Sequence, residues 1–112
     1  MRAIYRYPIS LETVVEIPRG GNVIHVGLRN AQPQLWVLVD PDPTAPCETR
    51  KFWVFPTGAP IDDRYIYVGT WVSWEAPQGI RIQGAEPFVW HLFEVPMDAA
   101  TEKPKGEAEC SP

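Results

Sequence analysis

Thirteen prolines and eight glycines punctuate this chain, and they fall between its apolar runs, not inside them. Proline fixes φ and lacks a backbone donor, so a chain cut this often leaves little room for a helix of ordinary length. The segments in between are short and filled by β-branched and aromatic residues, the composition of strands. Turn signals recur roughly every 8 to 12 residues, the spacing of an antiparallel sandwich or small barrel. The expectation is an all-β domain of about 6 to 8 short strands with at most one short helical turn, at Ile61 to Tyr65.

Arg2 to Tyr7 alternates around Ile4 and Tyr5. Leu11 to Ile17 resumes after Pro8 and Ser10, with Thr13, Val15 and Ile17 on one face. The glycines of Pro18-Arg19-Gly20-Gly21 form a turn into Asn22 to Arg29, read as a half-buried strand with Ile24, Val26 and Leu28 opposed to Val23, His25 and Gly27. Asn30 to Gln34 turns the chain into Leu35 to Val39, a continuous apolar run that reads as covered on both faces, with Trp36 and Leu38 sharing one. Beyond the stiff loop Asp40 to Pro46, Glu48 to Phe55 places Phe52 and Val54 against Lys51, Trp53 and Phe55. A second loop, Thr57 to Asp63, leads to Tyr65 to Trp74, with Tyr65, Tyr67 and Trp71 predicted on one face and Ile66, Val68, Val72 and Trp74 on the other. Gly69 marks a bulge or a close backbone approach there. A brief Ile80 to Gln83 segment precedes Phe88 to Val95, apolar on both faces and therefore central.

Residues 1–96 read as one β domain and 97–112 as a disordered acidic tail. The tail holds Asp98, Glu102, Glu107 and Glu109 against Lys103 and Lys105, half of the formal net charge of −4. Elsewhere acids and bases are scattered along the sequence, without the basic stripe that replaces phosphate counterions, so nucleic acid is not expected as a partner. No apolar run has the roughly 20 residues of a membrane span, and the N-terminus has no apolar segment of signal-peptide length. Membrane association is not expected. Of the two cysteines, Cys47 lies in a proline-flanked loop and Cys110 near the end. They could form a disulfide, but their number and spacing give it little motive, and the cytoplasm is the better reading.

His25 and His91 lack partner ligands at metal-binding spacing and read as core or edge imidazoles with a backbone hydrogen bond; no metal or other cofactor is implied. Asp40 and Asp42 sit two apart like calcium ligands, but Pro41 and Pro43 interrupt them, and they read as turn formers. Asp62 and Asp63 with Arg64 suggest an acid pair or an anion-binding corner, although adjacent loop carboxylates are usually solvated. Neither a phosphate loop nor a serine or cysteine nucleophile signature is present. The expectation is therefore a non-enzymatic protein. Five tryptophans, four tyrosines and four phenylalanines are many for one small core. They either fill a sandwich or form a surface, with Trp53, Tyr65, Tyr67 and Trp71, joined by Asp62, Asp63 and Arg64, as candidate ligand- or partner-binding residues.

The segments IYRYPI, LWVLVDP, TGAPIDDRYIYVGT and VWHLFEV, within about residues 3–95, resemble a family of small uncharacterised proteins of bacteriophages and prophages, a domain of unknown function. That resemblance brings no established activity and no functional residue. It implies a phage or host-cytoplasmic context, in which small non-enzymatic proteins act by binding. The leading expectation is a phage accessory protein that self-associates and binds a host protein or a small-molecule defence signal through loops and an aromatic surface. A virion component, such as a capsid decoration or tail accessory protein, is the alternative, and a small hydrolase using Asp62 or His91 a third.

Overall fold

Alternating apolar and polar residues can bury one strand face only against a second layer, and two layers are what this chain builds. The computed structural model describes residues 1–42, 44–73 and 87–97. Seven strands run in the order β1 (Ala3–Pro8), β2 (Glu12–Pro18), β3 (Asn22–Arg29), β4 (Gln32–Val39), β5 (Cys47–Pro56), β6 (Ile66–Ser73) and β7 (Phe88–Val95), with no helix among the described residues. They form a three-stranded sheet β1-β4-β3 and a four-stranded sheet β2-β5-β7-β6, every neighbouring pair antiparallel. The fold is an antiparallel β-sandwich. The expected Ile80 to Gln83 segment and the residues of the tail after Met97 lie outside the described residues.

The core is the shared inner surface of the two sheets. Tyr7, Val26, Leu35, Val37 and Val39 from one sheet meet Ile17, Phe52, Val54, Trp71, Trp90 and Leu92 from the other. Phe52, Ile17, Leu35, Val37 and Leu92 are fully buried. One donor in this core, Trp90 Nε1, has no hydrogen-bond partner among the described residues, a cost of roughly 1–3 kcal/mol. At one end, Arg50 makes a bidentate bond to Glu94 (2.7 and 2.8 Å) and donates to the Gly21 carbonyl at 2.6 Å. This charge-assisted fork ties β5 and β7 to the β2–β3 turn.

Turn chemistry explains two departures from the expected boundaries. Asn30 and Ala31 both adopt positive φ (53° and 65°), giving a two-residue hairpin turn, so β4 starts at Gln32 and includes Pro33. The Pro33 carbonyl accepts from Ile9 N, one residue past the last β1–β4 pair, Pro8 with Gln34. Proline thus enters the middle strand at the end of the β1 pairing, where its missing N–H interrupts no β1–β4 pair. The expected helical turn at Ile61 to Tyr65 is instead a hydrogen-bonded turn, Tyr65 N donating to Asp62 O.

Bulges correct the face assignments of two strands, and a third strand is covered on one face only. A register shift between Val23 and His25 moves Val23 toward the core and leaves Ile24 46% exposed, reversing part of the alternation expected for β3. A shift between Tyr67 and Gly69 puts Val68 and Trp71 inward while Tyr67 and Val72 point outward. Trp71 is therefore a core residue, 6% exposed, and leaves the surface on which it was expected with Tyr65 and Tyr67. In β4, Leu35, Val37 and Val39 are buried, but Trp36 and Leu38 are only half-buried, because no further layer among the described residues covers that sheet. The central position expected for β7 holds.

Gly69 marks both a bulge and a close approach: an added Cβ would overlap Val26 Cγ1 of the facing sheet. Gly69→Ala is expected to destabilise by roughly 1–3 kcal/mol through overpacking, measured by urea unfolding; an unchanged midpoint would refute this packing account. Burial, with a smaller contribution from neighbouring Tyr5, pushes the Tyr7 phenol up to about 12. Because the folded value lies above the unfolded one, this stabilisation is complete below about pH 10 and is lost as pH rises toward 12. Tyr7→Phe should flatten that alkaline loss relative to the wild type, read from thermal melts across the range.

Candidate functional site

The order β2-β5-β7-β6 makes β5 and β6 parallel to each other with β7 between them, so residues 57–65 must cross over β7 to connect them. The inner side is filled by the core, and the crossing lies on the outer face. The rings show it: Tyr65, at the end of the crossing, packs edge-on against Trp53 at 5.8 Å and on Phe55 at 6.2 Å, both outward-facing on β5. Phe55 in turn meets Phe93 at 5.8 Å, and Phe93 meets Tyr67 at 5.6 Å. Lys51 Nζ stands 5.0 Å from the Trp53 ring centre, a cation–π contact at the margin of the cluster. The five rings form a small apolar layer outside the sandwich, partly covered by the 57–65 crossing.

Beside the rings lies a polar row. Phe55 and Thr70 flank His91 across the sheet. Thr57, the first residue of the crossing, bonds His91 Nε2 at 2.8 Å; Thr70 bonds Nδ1 at 3.0 Å and is itself 2.7 Å from the Tyr67 hydroxyl. His91 is thus held by two side-chain hydroxyls, not by the backbone bond expected from its sequence context. Whichever tautomer it adopts, one ring nitrogen donates and the other accepts. Thr57 Oγ1 and His91 Nε2 are at nucleophile–base distance. The group behind the imidazole, however, is a hydroxyl, which stabilises an imidazolium far less than the carboxylate of a triad does. The row is suited to hydrogen-bonding a ligand. A cleft of about 270 Å³ opens at the β2 side of the rings, lined by Leu11, Glu12, Trp53, Val54 and Phe55.

Of the residues expected at a site, Trp53, Tyr65 and Tyr67 come together here and Trp71 does not. Asp62, Asp63 and Arg64 are exposed on the crossing. Arg64 pairs with Asp62 at 3.1 Å, and its side chain, then its backbone N–H, hold the Asp62 carboxyl below the usual carboxylate range. That is the opposite of what a general acid needs. Phe55, Thr57, Thr70 and Phe93 were missed as site residues, and His91 was singled out only for the hydrolase reading. The outward alternation of Trp53 with Phe55, and of His91 with Phe93, carried the signal, but only the pairing of β5 with β7 joins the two patterns. Cys47 is buried and disulfide-bonded, not a free thiol, while Cys110 lies outside the described residues. Asp42 is a turn former as expected, its carboxylate accepting from the Thr44 N–H and hydroxyl.

A larger cleft, about 400 Å³, lies at the other end of β5 around Arg50, Glu94, Gly21 and Met97. Its cation is already neutralised by Glu94. Among the described residues no three His, Cys, Asp or Glu side chains gather as a metal site would require, and no helix is long and apolar enough to cross a membrane.

A family model described as a domain of unknown function, DUF7352, matches residues 1–103. The chain belongs to this family. The matched span includes both sheets and the 57–65 crossing, so the site described here lies within the DUF7352 domain. No curated protein and no solved structure matches the chain.

Tyr65→Ala removes the ring that fixes the crossing to Trp53 and Phe55. The expected result is a loss of roughly 1–3 kcal/mol in urea unfolding and faster protease cleavage within 57–65. Unchanged cleavage would show that Thr57 and the turn at 62–65 hold the crossing without it.

Proposed function

We propose that this protein is a non-enzymatic phage accessory protein, acting in the host cytoplasm, that self-associates and binds a host protein or a small-molecule defence signal through the 57–65 crossing and the rings beneath it. One observation carries the reading: a ring cluster outside the core, bordered by a hydrogen-bonding row of hydroxyls and an imidazole. A sandwich this small gains its stability between the sheets, and aromatic anchors beside polar groups that fix orientation are the usual makeup of a binding surface. Tyr67, Val72 and Val89 extend the apolar area beyond the crossing, each at least one-third exposed. The Thr57–His91–Thr70–Tyr67 row supplies donors and acceptors, which suits orienting a ligand.

Native mass spectrometry of the protein purified without denaturation tests both parts of the reading in one spectrum. The expected result is an oligomer, or a species carrying extra mass, that reverts to a bare monomer in a Tyr67→Lys/Val89→Lys variant with unchanged thermal stability. A wild type that is a bare monomer at tens of micromolar and takes up nothing from host extract removes the proposal.

A further inference from the structure

The opposite face of the sandwich has a different chemistry. The three strands of the β1-β4-β3 sheet contain Arg6 and Arg29 but no aspartate or glutamate, whereas the four strands of the other sheet carry Glu12, Glu16, Glu48 and Glu94 against Arg50 and Lys51. Charges that alternate along the sequence are therefore sorted by sheet in space. On the outer surface of the three-stranded sheet, register places Arg6, Trp36 and His25 in one row across all three strands. The His25 ring packs on Trp36 at 5.2 Å. Arg6 is exposed and makes no ion pair among the described residues. The adjacent row is Ile4 and Leu38, with Ile4 58% exposed, and Ile24 is pushed outward by the β3 bulge. Arg29 faces the same side at the far end of β3, opposite Gln32. The nearest carboxylate in sequence is Asp40, one residue past β4 and level with Arg2, beyond the Ile4 row.

We infer that this outer face is a docking surface for an acidic, amphipathic segment of a partner protein, with Trp36, Ile4 and Leu38 taking its apolar side chains and Arg6 and Arg29 its carboxylates. The argument is charge complementarity. Among the described residues, the strands of this sheet carry arginine and no carboxylate while those of the other sheet carry four glutamates against two bases, so an acidic partner is attracted to this face and not to the opposite one. Strand spacing and rise put Arg6 and Arg29 roughly 17 Å apart, about five residues of an extended chain, so two carboxylates of one segment reach both. Guanidinium forks suit carboxylates bidentately. Single-stranded nucleic acid also combines anionic and planar groups, but it binds on several exposed rings inside a broadly basic groove. This face offers one such ring, Trp36, among aliphatic side chains, and the chain's overall charge is negative.

This surface lies on the opposite sheet from the rings of the proposed function, and the two readings stand or fall separately. The test is selection from a displayed library of random dodecapeptides on the full-length protein, with dT12 as a separate probe. Selected peptides are expected to be enriched in Asp and Glu interspersed with apolar residues, and to perturb amide resonances of β1, β3 and β4. They should bind at least tenfold more weakly to Arg6→Glu/Arg29→Glu, and also more weakly to the milder Arg6→Gln/Arg29→Gln, both checked for unchanged melting temperature. Their affinity should fall as salt rises from 50 to 300 mM. Selection of neutral or basic peptides, equal binding to both arginine variants, or resonance changes confined to the four-stranded sheet overturns the inference. Preferential binding of dT12 on this face overturns it in favour of nucleic acid.

Discussion

The insertion of β7 between β5 and β6 is the constraint on which the outer architecture depends. Strands adjacent in sequence usually pair, joined by a short hairpin, and a β5–β6 hairpin would have kept residues 57–65 at the sheet edge. With β7 in the middle, β5 and β6 run the same way, and their connection has to pass over a face. The inner face is closed by core packing, so the connection crosses outside and covers rings that would otherwise have faced solvent. Thr57 meets His91, and Tyr65 meets Trp53 and Phe55, because of this one topological fact.

The same insertion accounts for the composition of β7. A strand that pairs on both edges, with the core on one face and the crossing on the other, needs apolar groups on both sides: Trp90 and Leu92 inward, Val89 and Phe93 outward. His91 and Glu94 are the polar exceptions, His91 matched by the Thr57 and Thr70 hydroxyls and Glu94 by the Arg50 fork. Part-buried, hydrogen-bonded pairs of this kind contribute more to fixing geometry than to net stability, since desolvation offsets much of their attraction. Here the pair sets the position of the Gly20–Gly21 turn relative to the four-stranded sheet, through the bond from Arg50 to the Gly21 carbonyl.

The two outer faces are chemically distinct surfaces on one small body. One has hydroxyls and an imidazole beside a partly covered ring cluster; the other carries aliphatic side chains and arginines, with a single indole flanked by Arg6 and His25. A sandwich offers this division because its two sheets are built from different strands, so each outer face draws its residues from separate stretches of sequence. The glycine at the β6 bulge, Gly69, lets β6 approach Val26 of β3 closely across the core.

What the sequence determined by itself is everything that depends on local geometry. Proline and glycine placement rules out long helices; period-two alternation identifies the strands; and the two-sided apolar run at Phe88 to Val95 marks a central strand. These follow from φ restriction and from side chains alternating across a pleat, effects that span a few residues. The sequence also exposed Trp53, Tyr65 and Tyr67 as surface candidates. Only the tertiary structure decided that Trp71 is core, because a one-residue bulge moves every following side chain to the other face. Only it joined Phe55, Phe93, Thr57, Thr70 and His91 into one site, because their neighbours are set by cross-strand register between segments far apart in sequence. It alone sorted the charges by sheet. Strand order is a non-local property: many pairings satisfy the same alternation, and the packed core selects one.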